Sequence, residues 1–356
     1  MRRTTPIPVV GANPEPEFGR RPVGLCSLQF GNMGLEALVA WMKGVGFKRI
    51  ELGCSPKHFD VDRALEEPGY CDWVKKTLED AGIGSISLAT HSTGLPLCGW
   101  PLDESYRKFV GEEVWGDGNY ETMYIRSADR LKRTAQAAKA LGVQYIKLFF
   151  GSGVYGRQLI DFPPRDPDWV ESQWGIMVPR MLDVLDAFGN EDVYAALEPH
   201  KGELAYNYET MIELLQRLGC HDRFTYNMDN SHTDAQGIDS AALIRALPEG
   251  VIHVCHIKGA KRRPGGTRSV LSPLAMGDSD RGWNYVRVQD ADTDWCEVIA
   301  ALNANGLPPE SELSLEHEAN YCEPLVGAED AFRFMRYNLD FLAPSESYEK
   351  KMVADA

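Results

Sequence analysis

Tyr194–Ala195–Ala196–Leu197–Glu198–Pro199–His200 reads as a short buried strand that ends abruptly in a carboxylate, a proline and an imidazole. Side chains of a strand alternate between its two faces, so Ala196, Glu198 and His200 share one face while Ala195 and Leu197 share the other. An ionisable group at the end of an apolar strand is costly unless it is paired or binds a cation. Taken alone, such a carboxylate suits a structural salt bridge as well as it suits chemistry. The two readings separate on whether other strands end in the same way.

Several do. In Ser85–His91, the residues Ser85, Ser87, Ala89 and His91 share a face, and in Phe224–Ser231 the set is Thr225, Asn227, Asp229 and Ser231. His256 and Lys258 follow Ile252 and Val254 in Ile252–Gly259, and Ser314 precedes Glu316 and Glu318 in Glu312–Glu318. The opposite faces carry Ile86 and Leu88, Phe224 and Met228, Leu313 and Leu315, and should pack on helices. Three further strands are expected at Val23–Phe30, Arg49–Cys54 and Tyr145–Phe150.

Helical spacing of apolar residues fills the intervals. Helices are expected from Leu35 to Val45, Cys71–Ala81, Arg126–Leu141, Trp169–Phe188, Tyr208–Leu218, Ser240–Leu247 and Trp295–Asn305, and around Phe332, Met335, Leu339 and Leu342. Eight alternations of strand and helix predict parallel strands closed into a (β/α)8 TIM barrel, with an open doubly wound sheet as runner-up. No GxGxxG follows the first strand to support the runner-up. The barrel is placed at 23–343, after a poorly ordered N-terminal extension at 1–22 and before a mobile C-terminal tail at 344–356. Three strand-to-helix connections are long, at 92–125, 152–168 and 260–293, and should emerge together over the C-terminal mouth as lids or binding loops.

The chain has 356 residues with 44% hydrophobic content, enough for one large barrel core. A formal charge of −15 without long like-charge runs argues against a nucleic-acid partner, which needs a basic footprint. The eight cysteines show no CxxC spacing, which fits buried reduced thiols and neither a zinc ribbon nor a disulfide scaffold. The apolar stretch Ile7–Ala12 is broken by Pro8 and Gly11, and no run of about 18 apolar residues follows, so neither a signal peptide nor a membrane partner is expected. The expected location is the cytoplasm.

Glu198, Asp229, His256 and Glu316 then converge at the mouth from four consecutive strands. Three carboxylates at one point repel unless a cation joins them. With one imidazole they form a hard O/N donor set suited to a divalent metal: Mn2+ first, with Mg2+, Co2+ or Zn2+ as alternatives. His253, Cys255 and His317 have the opposite parity and are expected to face the helices. A metal that chelates a carbonyl and its neighbouring hydroxyl acidifies the C–H between them and stabilises an enediolate. Glu198 and Glu316 are the candidate proton carriers, and His91, His200 and His232 are auxiliary acid/base or hydroxyl-binding candidates.

The segments Ile50–Glu51–Leu52, Leu197–Glu198–Pro199–His200, Met228–Asp229–Asn230–Ser231–His232, His253–Val254–Cys255–His256–Ile257–Lys258 and Leu315–Glu316–His317–Glu318 carry a family likeness. On them the chain resembles the xylose isomerase-like barrel superfamily, in its sugar phosphate isomerase/epimerase branch. The resemblance implies Glu198, Asp229, His256 and Glu316 as metal ligands, His232 as a histidine beside substrate or metal, and Lys258 and Arg262 as binders of substrate oxygens. Gly259 stands where an Asp often follows the lysine, and the lids are longer than in compact ketose epimerases.

The expected function is a divalent-metal-dependent sugar isomerase or epimerase acting through an enediolate. The alternative is a lyase performing β-elimination on a 3-oxo-glycoside, as in the related C-glycoside deglycosidases, whose barrel works with a small accessory subunit. A phosphodiesterase like the endonuclease IV branch would need more histidine ligands and a basic face, and a non-catalytic sugar-binding barrel would not need intact ligands. The expected partners are a carbohydrate or glycoside substrate and other copies of the chain in a homo-oligomer.

Overall fold

Short apolar strands, each followed by a helix with one apolar face, pair in parallel in the computed structural model, which describes residues 6–13, 21–263, 265 and 267–339. The barrel strands are β1 (Val23–Cys26), β2 (Arg49–Gly53), β3 (Gly84–Ser85 and Ser87–Ala89), β4 (Tyr145–Leu148), β5 (Tyr194–Leu197), β6 (Phe224–Asp229), β7 (Ile252–Ile257) and β8 (Leu313–Leu315). Each pairs in parallel with its sequence neighbours, and β8 pairs with both β7 and β1, which closes the (β/α)8 barrel.

Outward-facing Leu25, Ile50, Leu52, Leu88, Ile146, Leu148 and Leu197 pack on the helix layer in one continuous core. Full burial of each such side chain contributes roughly 1.5–3 kcal/mol. The helices bury the faces that their spacing predicts: Leu35, Leu38, Val39 and Met42 in Leu35–Val45, and Met211, Leu214 and Leu215 in Tyr208–Arg217. Two helices begin earlier than their apolar spacing shows, because polar caps start them. Asn119 accepts from the Glu121 amide to open Tyr120–Leu141, and Asp166 accepts from the Asp168 amide to open Pro167–Asn190.

Inside the barrel, register sets depth. Asp229 and Ser314 both lie level with His256. Leu197 pairs with Tyr226, which sets Glu198 about one pleat below Asp229, while Glu316 stands two residues above Ser314. The ligand residues therefore form a staircase, as the shear of a closed barrel requires, and the longer Glu side chains make up the difference.

Four expectations change. Ile86 turns inward where β3 is interrupted, joining Ile7, Tyr145, Ala196 and Val254 on the barrel floor, away from the helix layer. The first strand stops at Cys26 and continues as a 3-10 turn, Ser27–Phe30. The described part of the N-terminal extension is packed and ordered: Val10–Gly11 pairs antiparallel with Gly84–Ser85, and Ile7 closes the floor from water. Arg21 is buried too, donating to the carbonyls of Leu307, Pro308 and Ser311. Not all the thiols are buried: all eight cysteines are free, but Cys220 and Cys296 are exposed. Leu342 and the tail at 344–356 lie outside the described residues.

The three long connections rise from the C-terminal end, as predicted. The one after β7 holds an unforeseen antiparallel ribbon, in which Gly259–Arg262 pairs with Trp283–Val286. Among the described residues no helix is long and apolar enough to cross a membrane.

Candidate active site

Four strand ends meet at the mouth. Donor atoms of Glu198, Asp229, His256 and Glu316 all lie within 4.8 Å of one another, and all four residues are buried. Glu198 Oε2 is 2.7 Å from His256 Nδ1, and Glu316 Oε2 is 3.3 Å from the same nitrogen. Asn227, one pleat below Asp229, donates to Glu198 Oε2 at 2.7 Å.

The opposite ring nitrogen of His256 has a separate partner. His256 Nε2 lies 2.9 Å from Glu51 Oε2, and Glu51 also receives the Lys147 ammonium and the Ser314 hydroxyl, the latter at 3.0 Å. This places a buried polar layer directly beneath the mouth. Burial raises the Glu51 carboxyl, but His256 and Lys147 outweigh it and hold Glu51 below the usual carboxylate range. Burial likewise disfavours a charged His256, and Glu51 reverses that, raising the imidazole well above its ordinary value.

Glu198 also meets two histidines from the turns that directly follow β3 and β6. Its Oε1 is 2.9 Å from His232 Nε2, and its Oε2 is 3.4 Å from His91 Nε2. His91 opens a 3-10 turn, His91–Gly94, laid against the end of β4. A Cβ on Gly94 would sit 1.9 Å from the Phe149 carbonyl oxygen, so only glycine allows that approach. Burial pushes the Glu198 carboxyl up, but His256 and His232 hold it well below the ordinary range.

Lys258 stands across the cluster. Its Nζ is 2.6 Å from Glu316 Oε2, 3.1 Å from Asp229 Oδ2 and 3.4 Å from Glu318 Oε1. Gln29 holds the other Glu316 oxygen at 2.9 Å. Burial, together with Glu198 and Glu316, lifts the Asp229 carboxyl to about 6 against the pull of Lys258. Asp229 Oδ2 is buried and receives no well-aligned hydrogen bond. A buried carboxylate oxygen held by the Lys258 ammonium without an aligned hydrogen bond, and facing two further carboxylates and an imidazole, belongs to a donor set that fits a divalent cation. His91, Glu198 and His256 offer an overlapping group, so the described geometry defines one centre with several donors.

The structure brings Glu198, Asp229, His256, Glu316, His91, His232 and Lys258 together as the sequence suggests. His200 joins them at the rim, its ring 4.1 Å from that of His232 and its Nδ1 on the Lys201 carbonyl. Arg262 does not join them. The ribbon carries it outward, where it is exposed beside Gly237 and its amide donates to Asp292 at 2.8 Å. His253, by contrast, keeps clear of the ligands as expected, but it stays near the floor against Tyr145 and Tyr194.

Sequence reasoning assigned no role to Glu51, Lys147, Gln29 or Tyr285. Glu51 between Ile50 and Leu52, and Lys147 between Ile146 and Leu148, carry the same inward parity that identified the ligands. Tyr285 arrives on the ribbon, with its hydroxyl 3.4 Å from His232 Nδ1 and its ring 4.7 Å from Lys258 Nζ.

A closed parallel barrel with carboxylates and a histidine gathered at its C-terminal mouth defines the class: a TIM barrel with a candidate metal centre. The chain belongs to the xylose isomerase-like TIM barrel family, whose sequence model matches residues 39–338. No curated protein matches it in sequence. Solved structures share the fold. A probable 3-DHS dehydratase of petrobactin synthesis from Bacillus anthracis is 17% identical, with a TM-score of 0.61 over 88% of this chain and 98% of that one. An L-ribulose 3-epimerase is 17% identical, with a TM-score of 0.58 over 94% of this chain and 98% of that one. An IOLI protein with a bound zinc atom is 16% identical, with a TM-score of 0.59 over 89% of this chain and 95% of that one.

Proposed function

We propose that this chain is a divalent-metal-dependent sugar isomerase or epimerase that moves a proton at a carbon beside a carbonyl, by way of an enediolate. The observation that carries the reading is the placement of Glu198 and Glu316. Each directs one oxygen into the donor set, and each has its other oxygen held separately, on His232 for Glu198 and on Gln29 for Glu316. Two carboxylates converging on one point from different strands suit removal of a proton by one and its return by the other. The family and the fold shared with an L-ribulose 3-epimerase and a zinc-binding IOLI protein support the class.

Glu198, Asp229, His256 and Glu316 would hold the metal, with Mn2+ preferred over Mg2+, Co2+ or Zn2+ for a carboxylate-rich set. A bound divalent cation supplies polarisation of the substrate carbonyl and of the hydroxyl next to it. The chain does the rest. Glu198 takes the proton, and His232, lowered to about 4 by burial and by Lys258, stays neutral beside it and can relay a proton at Nε2. Lys258, raised well above its ordinary value against burial by Asp229 and Glu316, is a fixed positive charge for a developing oxyanion. His91 and His200 bind hydroxyls at the rim.

The test combines metal analysis with exchange of deuterium from heavy water into a panel of ketoses and 3-oxo-glycosides. Metal-dependent exchange should appear and be lost in Glu198→Gln and Glu316→Gln. Unchanged metal content and exchange in both variants would sink the reading. Aglycone release from a 3-oxo-glycoside would move it to elimination at the same centre.

A further inference from the structure

Two cations beside the mouth have no counter-charge among the described residues. Lys201 directly follows His200, and its Nζ is buried with no hydrogen-bond partner. It lies 3.4 Å from the centroid of the Trp283 ring. The Arg281 guanidinium lies 4.9 Å from the same ring. Arg281 Nη1 donates to the carbonyls of Ser272 and Leu274, but its Nε is buried without a partner. Among the described residues neither side chain has a carboxylate within ion-pair distance, in a chain holding 52 acidic residues against 37 lysines and arginines.

Stacking two cations on one indole is favourable, but it leaves buried donors unpaired and sets two like charges against the same ring. The strain shows at Lys201, whose ammonium is lowered to about 7 by burial and then by Arg281 and Lys258. A bound oxyanion would remove both conflicts at once. The location suits a substrate. Trp283 is 5.3 Å from Tyr285, whose hydroxyl faces His232, and His232 bonds Glu198. The cation pair is thus linked to the candidate proton carrier Glu198 through the rings of Trp283, Tyr285 and His232.

We propose that Lys201 and Arg281 form an anion subsite that receives a phosphate or carboxylate at the far end of the substrate, so that the sugar acted on is an acidic one. This assignment rests on the sugar isomerase/epimerase reading for its location but is tested without turnover. The full chain, stripped of divalent metal so that no ligand gains from chelation, is titrated calorimetrically with sorbitol, sorbitol 6-phosphate and gluconate. At least one of the two anions should bind about tenfold tighter than sorbitol or better, as expected for charge-assisted hydrogen bonds. Which one does so distinguishes phosphate from carboxylate. In Lys201→Met and in Arg281→Met that preference should largely disappear, and in Lys201→Arg it should persist. Equal binding of all three ligands by the unaltered protein, or a preference that survives Lys201→Met, would overturn the subsite. Should Arg281→Met unfold because Arg281 Nη1 anchors the 272–274 turn, the unaltered protein and Lys201→Met decide alone. Absence of metal-dependent exchange on every ketose would instead sink the isomerase reading and leave the titration result standing.

Discussion

Glu51 Oε2 stands 2.9 Å from Nε2 of His256 and so turns the ring's other nitrogen toward the carboxylate cluster. The pairing links the polar layer inside the barrel to the mouth above it, and it makes Glu51 a positioning residue for a candidate ligand.

A ligand histidine loses about 10–100-fold in metal affinity when the carboxylate behind it is removed. Glu51→Gln is therefore expected to weaken Mn2+ binding by about that factor in calorimetric titration. The variant also strips Lys147 of its buried partner, at a cost of about 3–5 kcal/mol. Adding Lys147→Met should recover most of that stability in urea denaturation without recovering the metal affinity. Recovery of both together would show that Glu51 acts only on folding.

Metal binding to the folded chain should be visible as stability. With free Mn2+ at a hundred times its dissociation constant, the unfolding free energy should rise by about 2.7 kcal/mol, and a chelator should reverse the rise. Asp229→Asn, which neutralises a carboxylate in the donor set, should abolish most of this increment. A full increment in the variant would remove Asp229 from the ligand set.

Glu203 predicts a pH effect away from the ligands. It is buried and accepts from the amides of Phe150 and Gly151, yet burial lifts its carboxyl to about 8. A raised folded-state pKa means that its contribution is complete below the unfolded value near 4.5 and is lost as pH rises toward 8. The unaltered protein should therefore lose stability against Glu203→Gln between pH 5 and pH 8, with a slope of up to about 1.4 kcal/mol per pH unit. A difference that stays flat across that interval would mean the amides keep Glu203 ionised throughout.

Arg262 is exposed on the outer side of the ribbon, against Gly237. Arg262→Ala should leave metal affinity and exchange rates within about twofold and stability within about 0.5 kcal/mol. A tenfold rise in KM would restore it to the substrate site, by way of a ribbon movement that the present arrangement does not contain.

Much of this was legible in the chain itself. Ala196, Glu198, Asp229, His256 and Glu316 declare their inward face by a period of two, which holds within each strand whatever surrounds it. The same rule reaches Glu51 and Lys147, whose apolar neighbours Ile50, Leu52, Ile146 and Leu148 all face the helices. It fails at Ile86, where the interruption of β3 turns one side chain inward. It also fails for the ribbon, whose Trp283–Val286 strand pairs with Gly259–Arg262 across a loop of some twenty residues that no local period bridges.

Returned to Leu197–Glu198–Pro199–His200, the distinction is physical. The sequence by itself determined that β5 is buried, that it ends in a carboxylate, and that this carboxylate faces inward like Asp229, His256 and Glu316 on three other strands, because alternation is local to each strand. Only the tertiary structure decided the depth of each donor, the holding of His256 by Glu51, the arrival of Tyr285 and Trp283, and the exclusion of Arg262. Those depend on how far each strand slides along its neighbour and on where a distant ribbon docks, and both are settled by pairing between segments that the sequence does not place side by side.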